Sequence, residues 1–262
     1  MRGRVPVSPL PIAGRARRAA LAAALCAVVT SAATACGGPD PDEGTNGIGK
    51  LGAVEIEKKA RAAADAASAV RLSGTLVSKG GTYKLNMRLK QDGASGSVAS
   101  KENTFELLRV GDALYLKADA GFWTHAGEDG DDKQTEADQE AARKLGDKYV
   151  KVPRNDPSYA QFRGFTEMDV ILDGLLGMHG ELSKGDRTRV GGVKTIEVRA
   201  AKGAGGVLDV SLIGDPYPLR FARAGGAGVL VLADWNKDFA LAEPSKDETL
   251  DYGGQLPETS GD

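Results

Sequence analysis

Cysteine, histidine and aromatic residues are scarce in this chain. It has two cysteines, two histidines and 5% aromatic residues among its 262 residues. Cys26 lies in an N-terminal segment that we expect to be removed, so only Cys36 would remain and no intradomain disulfide is expected. His125 and His179 stand far apart in sequence, which leaves little material for a histidine-based triad or a zinc site. The sequence predicts no catalytic residue, no metal site and no cofactor, and it indicates a protein that is not an enzyme.

Other motifs of catalysis and ligand binding are also missing. The glycine clusters at 203–206 and 225–228 are not followed by the lysine and the serine or threonine that complete a phosphate-binding loop. No serine has the setting of a nucleophile elbow. The acidic run at 128–132 offers oxygen ligands for calcium, but it lacks the spacing of an EF-hand. A solvated acidic loop is the interpretation that this run favours.

An excess of basic residues is absent as well. The chain has 34 basic and 36 acidic residues, and its net charge is −2. The arginines near the N-terminus have no acidic residue beside them, so the rest of the chain is more acidic than the whole. An acidic domain repels phosphate backbones, and no nucleic-acid partner is expected.

The longest apolar run near the N-terminus is too short to span a membrane. It covers residues 19–29 and follows the arginines of residues 1–18. A transmembrane helix needs about 20 apolar residues. A basic region followed by a short apolar run is the pattern of a signal peptide. Residues 1–35 are therefore predicted to be a signal peptide of the lipoprotein type.

Cys36 is the residue around which the N-terminal region is organised. The sequence Ala33-Thr34-Ala35-Cys36 resembles a lipobox, at which an exported bacterial protein is cut before a lipid-modified cysteine. Ala33 stands where a lipobox usually has leucine, and the same residues fit an ordinary signal peptidase site that would leave Cys36 unmodified. Two or three acyl chains make a stable anchor. Lipidation of Cys36 predicts attachment to the outer face of the cytoplasmic membrane, with palmitate among the attached chains.

The residues after Cys36 change in character twice. Glycine, proline and aspartate dominate at first, so residues 36–50 are predicted to be a flexible tether. From 53 to 70 apolar residues recur every three or four positions, which predicts a helix. Helices are also predicted at 134–145 and 167–178, and residues 246–262 are predicted to be a disordered tail. Short segments with alternating polarity, separated by glycine turns, make up much of the rest of the chain. They predict strands at 71–78, 82–90, 94–100, 104–110, 113–118, 148–152, 188–190, 193–200, 206–212, 219–224 and 229–233.

This order of elements predicts the α+β class, with an antiparallel meander. Three motifs in it resemble a known family, the actinobacterial LppX/LprG-type lipoproteins. They are the hairpin LLRVGDALYLK at 107–117, the strand GDKYVKVP at 146–153, with Tyr149 in place of the usual tryptophan, and the turn GDPYPLR at 214–220. The resemblance covers most of residues 53–245 and depends on the order of the motifs.

The resemblance implies a strongly curved antiparallel half-barrel, related to the LolA/LolB carriers, with two or three helices over its concave face. In characterised relatives the space between sheet and helices holds the acyl chains of a lipid or glycolipid. For residues 51–245 it therefore implies a domain that binds or shuttles a lipid. It transfers no catalytic residue, and Cys36 is the one functional residue that it carries over.

Two alternatives remain open from the sequence. Apolar side chains of the strand at 82–90 and the helix at 167–178 are candidates for lining a lipid pocket, but they would fill a closed core equally well. In the second case the protein would be a non-enzymatic scaffold or interaction module of the cell envelope, with an unknown protein partner. The pocket candidates are Tyr83, Leu85, Met87, Leu89, Leu172 and Leu176.

Overall fold

The computed structural model describes residues 40–78, 81–101, 103–125 and 136–251. The predicted signal peptide, Cys36, the acidic run at 128–132 and the end of the predicted tail at 252–262 lie outside the described residues. From Pro41 onward the chain forms one compact unit.

The fold is a large sheet with helices packed on one face. The helices are α1 (Ala53–Asp65), α2 (Ala120–His125), α3 (Glu136–Leu145), α4 (Pro157–Gly164) and α5 (Met168–Leu175). The first strands are β1 (Ala69–Ser78), β2 (Gly81–Lys90), β3 (Gly93–Ala99), β4 (Thr104–Val110), β5 (Ala113–Ala118) and β6 (Tyr149–Lys151). The others are β7 (Leu182–Val190), β8 (Val193–Ala200), β9 (Val207–Ser211), β10 (Pro218–Ala222), β11 (Gly228–Ala233) and β12 (Thr249–Asp251).

The twelve strands form one open sheet in the order β12-β6-β5-β4-β3-β2-β1-β11-β10-β9-β8-β7. Neighbouring strands are antiparallel except β12 and β6, which are parallel. Most neighbours are also consecutive in the chain, because glycine turns return each strand beside the one before it. The pairing of β1 with β11 joins the two meanders into one sheet. The predicted α+β half-barrel is confirmed.

Alternation along strands such as β2 gives the sheet a core face. On β2, for example, Leu85, Met87 and Leu89 are buried while the residues between them are exposed or half-buried. Antiparallel pairing aligns such residues in cross-strand rows on the same face. One row consists of Leu232, Leu72, Met87, Gly96, Leu107, Leu116 and Val150.

The described residues contain five α-helices, where two or three were predicted. Helix α4 begins with Pro157 at its first turn, and the side chain of Asp156 accepts a hydrogen bond from the backbone N–H of Ser158 (2.8 Å). The proline and its cap therefore start a helix in a region where no helix is predicted from the sequence. Helix α2 is too short for its apolar period to be visible in the sequence.

The structure also corrects the predicted limits of the domain at both ends. Part of the predicted tether lies against the sheet: Ile48 is 6% exposed, and Nδ2 of Asn46 donates to the backbone oxygen of Ser211 (3.0 Å). Part of the predicted tail forms β12, which places Leu250 beside Val150 of β6. Both segments are polar and aperiodic, so their sequence gave no sign of the partners that fix them.

Two local predictions are also corrected. The helix predicted at 53–70 ends at Asp65, because the alanine and valine at 69 and 70 begin β1. The predicted helix at 167–178 is confined to Met168–Leu175 as α5. Glu167 occupies its N-cap without a side-chain bond, and Oγ1 of Thr166 donates to the backbone oxygen of Arg163 (2.9 Å).

Candidate ligand site between the sheet and the helices

The pocket candidates on β2 belong to an apolar layer between the sheet and the helices, and they form part of its sheet side. Leu85, Met87 and Leu89 lie on three successive cross-strand rows and are 3%, 0% and 0% exposed. The row of Leu85 continues through Val98, Phe105 and Ala118. Tyr83 lies nearer the β1–β2 turn, opposite Leu76, and is half-buried against the same core.

The pocket candidates of α5 lie on the helix side of the same layer. Leu172 of α5 and Leu176, its C-cap residue, are 3% and 4% exposed. The guanidinium of Arg61 donates from Nη2 to the backbone oxygen of Leu176 (2.8 Å), which joins α1 to the end of α5. The structure therefore brings all six pocket candidates together around one apolar core, with five of them buried in it and Tyr83 at its margin.

The candidate layer is closed to solvent in this structure. Two surface cavities, of about 370 and about 290 Å³, are lined mainly by charged and polar side chains. The larger one lies beside Arg154 and Asp251, and the smaller one beside Arg88 and Phe239. Neither of these two cavities includes a pocket candidate; five of the six candidates are 0–4% exposed, and Tyr83 is half-buried.

Arg109 is a buried residue of the core face that is not among the candidates predicted from the sequence. It occupies the β4 position opposite Leu114 and is 6% exposed. Its guanidinium donates from Nε and Nη2 to the backbone oxygen of Thr166 (3.3 and 3.0 Å) and from Nη1 to that of Gly111 (2.9 Å). Burial lowers the pKa of Arg109. Its spacing from Leu107 on an alternating strand could have revealed its place in the core.

A second hydrogen bond joins α4 to the same end of the sheet. Oη of Tyr159 donates to the backbone oxygen of Asp112 in the β4–β5 turn (2.9 Å). Nη2 of Arg109 also lies 3.4 Å from the backbone oxygen of Gln91, at the β2–β3 turn. The hydrogen bonds that join α4 and the α4–α5 junction to the sheet therefore lie at the end of the sheet with these two turns.

The opposite end of β4 and β5 meets the helices through aromatic rings. Phe105 of β4 contacts Phe122 of α2 and Phe162 of α4, with ring centroids 5.7 and 5.6 Å apart. The ring of Trp123 lies 5.1 Å from that of Phe122 at an angle of 88°. We call Phe105, Phe122, Trp123 and Phe162 the aromatic cluster. Within it, Nε1 of Trp123 is buried and has no hydrogen-bond acceptor among the described residues.

The outer face of the sheet is crossed by the segment between β11 and β12. Phe239 in this segment lies beside Arg88 and Lys90 of β2, with the cations 5.9 and 5.3 Å from the ring centre. Tyr115 of β5 is 3% exposed. Burial, and then a hydrogen bond to Glu243, raise the pKa of Tyr115. The segment thus fixes the β2–β5 region from outside, opposite the candidate layer.

Neither a metal-binding cluster nor a membrane-spanning helix is found among the described residues. Within the described ranges, no group of three or more histidine, cysteine, aspartate or glutamate side chains is placed to hold a metal ion. Among the same residues, no helix combines the length and the apolar character that crossing a membrane requires.

The chain is similar to LprF from Mycobacterium bovis. The two have 14% identity, the match covers 74% of this chain and 97% of LprF, and the TM-score is 0.49. LprF belongs to the type of lipoprotein that the sequence motifs of this chain resemble. Neither the ligand nor the location of LprF is transferred to this chain by a likeness at this level.

Two further solved structures match more weakly. PNGF-II has 11% identity, covers 66% of this chain and 28% of its own, and gives a TM-score of 0.23. A DUF1329 family protein from Desulfovibrio piger has 12% identity, covers 72% of this chain and 92% of its own, and gives a TM-score of 0.18. No protein-family model matches the chain. No curated protein matches it.

Proposed function

We propose that this protein is a lipid-anchored protein of the cell envelope that binds or shuttles a lipid or glycolipid between its sheet and helices. The observation that carries the proposal is the continuous apolar layer in which all six pocket candidates meet. Acyl chains need an apolar surface and few polar groups, and this layer has that composition.

The hydrogen bonds between the helices and the sheet lie at one end of the layer. This distribution supports an opening at the other end. Arg109 and Tyr159 join α4 and the α4–α5 junction to the end of the sheet with the β2–β3 and β4–β5 turns. At the other end of β4, α2 and α4 meet Phe105 through aromatic rings. Ring contacts have no fixed hydrogen-bond geometry to break, so acyl chains would enter more readily at the aromatic end.

The anchor in this proposal is Cys36, which lies outside the described residues. The resemblance of Ala33-Thr34-Ala35-Cys36 to a lipobox supports it. The first contacts of the folded unit begin soon after, with Asp42 paired to Arg187 (2.7 Å). The chain between Cys36 and Asp42 is therefore short, and the domain would stay close to the membrane surface.

A second candidate function is a protein-interaction module with a filled core. The observation in its favour is the closed layer, since five of the six pocket candidates are 0–4% exposed. Val77, Val229 and Val231 on the outer face are 40%, 40% and 37% exposed, which leaves apolar surface on β1 and β11. In this case the layer would stay packed, and the outer face would carry the function.

Extraction of the purified protein with organic solvent separates the two candidates. The chain from Pro41 onward, which forms one compact unit, is offered envelope lipids, re-purified and extracted, and the extract is examined by mass spectrometry. A recurring lipid at close to one molecule per protein is the result we expect. An empty extract from protein with an intact circular dichroism spectrum would reject the carrier function and leave the interaction module.

The anchor is tested separately in cells. We expect the wild-type chain to incorporate labelled palmitate and to fractionate with membranes, and Cys36→Ser to lose both properties. Palmitate incorporation by Cys36→Ser would show that the lipid is attached elsewhere, and the role proposed for Cys36 would be wrong.

A further inference from the structure

Trp123 and Trp235 are the two tryptophans of the chain, and they differ in one respect. Nε1 of Trp235 donates to the backbone oxygen of Pro218 (3.1 Å). Nε1 of Trp123 is buried without an acceptor among the described residues, and the whole residue is 4% exposed. A buried donor without an acceptor costs about 1–3 kcal/mol, so such donors are usually satisfied.

The position of Trp123 places this donor at the aromatic end of the candidate layer. The backbone N–H of Phe122 donates to Oδ1 of Asp119 (2.9 Å), which fixes the start of α2 directly after β5. The ring of Phe122 lies between Phe105 of the sheet and Trp123. Trp123 belongs to the same apolar core as the pocket candidates, so its indole lies next to the rings at the end where acyl chains would enter.

The chemistry of the donor restricts its partner. An indole N–H can only donate, so the partner must supply an acceptor. The rings in contact are apolar, and a phosphate or carboxylate would lose its hydration there without a compensating cation in the cluster. A neutral carbonyl oxygen meets the requirement at the lowest desolvation cost. In a lipid, the ester group at the head of an acyl chain provides such an oxygen.

We infer that Nε1 of Trp123 is a recognition site for the ester carbonyl of the bound lipid. This inference rests on the proposed function, and it adds that the ligand is an acyl ester whose carbonyl lies at the aromatic cluster. In the proposed complex this carbonyl accepts the hydrogen bond that Nε1 of Trp123 does not make among the described residues.

The test compares dioleoylglycerol with the dioleyl ether of glycerol, which has similar chains and no carbonyl group. Binding to the chain from Pro41 onward is measured for wild type, Trp123→Phe and Trp235→Phe. We expect wild type to bind the ester about 2- to 10-fold more tightly than the ether, the range of one net hydrogen bond. Trp123→Phe should lose this preference, and Trp235→Phe should keep it.

The indole N–H resonances give a second measurement that needs no substitution at Trp123. In wild type labelled with ¹⁵N, the indole resonance of Trp123 should shift downfield on addition of the ester and less on addition of the ether. That of Trp235 should change little with either ligand. Trp235→Phe assigns the two resonances, so the reading stands even if Trp123→Phe fails to fold.

The outcomes separate this inference from the function on which it rests. Equal binding of ester and ether by wild type would overturn the role of Trp123 and leave lipid binding intact. An ester preference that persists in Trp123→Phe would do the same, because another group would then read the carbonyl. Failure of wild type to bind either lipid would overturn the proposed function and this inference together.

Discussion

Nη2 of Arg109 lies 3.0 Å from the backbone oxygen of Thr166, a residue 57 positions further along the chain. The bond connects the core face of β4 to the residues between α4 and α5. Hydrogen bonds between a charged donor and a backbone carbonyl are stronger than neutral ones, so the oxygens of Thr166 and Gly111 stabilise the buried guanidinium. Arg109 thus links the sheet to the helices by hydrogen bonds inside the core.

Arg109→Met should destabilise the fold. The substitution fills part of the space but leaves the backbone oxygen of Thr166 without its donor, and we expect a loss of about 2–3 kcal/mol in the free energy of unfolding. Arg109→Lys keeps the charge but cannot reach Thr166 and Gly111 together, so it should lose less. Urea unfolding followed by circular dichroism measures both. If the free energy of unfolding of Arg109→Met equals that of wild type within error, the hydrogen bond does not stabilise the contact between sheet and helices.

Gly96→Ala should destabilise the sheet because a side chain at this position has no room. A Cβ at Gly96 would lie 2.7 Å from both Cα and Sδ of Met87 and would also collide with the backbone oxygen of Asn86. Overpacking of this kind costs about 1–3 kcal/mol, which thermal unfolding would detect. The control is Gly174→Ala in α5, where a Cβ meets nothing within 4 Å and alanine favours the helix. Equal melting temperatures for the two variants would contradict the close approach at Gly96.

The stability of the protein should depend on Tyr115 at alkaline pH. Burial and the bond to Glu243 raise the pKa of Tyr115 above its value in the unfolded chain. The stabilisation is then complete below about pH 10, the unfolded value for tyrosine, and is lost as pH rises through the folded pKa. Between pH 9 and pH 11 the free energy of unfolding should fall more steeply for wild type than for Tyr115→Phe. Parallel curves would show that Tyr115 titrates alike in both states.

Under the proposed function, Leu172→Ala should change the lipids that bind to the protein. The leucine is 3% exposed within the candidate layer, so its truncation would enlarge the space for acyl chains. We expect longer or bulkier chains in the extract, with a loss of stability of about 2–4 kcal/mol. Val170→Ala in the same helix is the matched control, since Val170 is 53% exposed. The same lipid profile from both variants would place the ligand elsewhere.

The sequence alone predicted most of the strands. The predicted limits 104–110 and 113–118 agree with β4 and β5, and the prediction for β2 differs from the structure by one residue. Alternating side chains have a period of two, and glycine turns end each run, so both signals are local. The same alternation identified Leu85, Met87 and Leu89 as residues of the core face. Helix α4 was missed because its N-terminal signal, Asp156 followed by proline, also fits a loop.

The tertiary structure decided what depends on distant partners. No local pattern indicates that β1 pairs with β11, that Asn46 binds beside Ser211, or that residues 249–251 add a parallel strand to β6. Nor could the sequence show that Arg109 is satisfied by Thr166 while Trp123 lacks an acceptor among the described residues. Composition and the spacing of apolar residues are local properties of the sequence. The partner of a polar group depends instead on which distant segments the fold brings together.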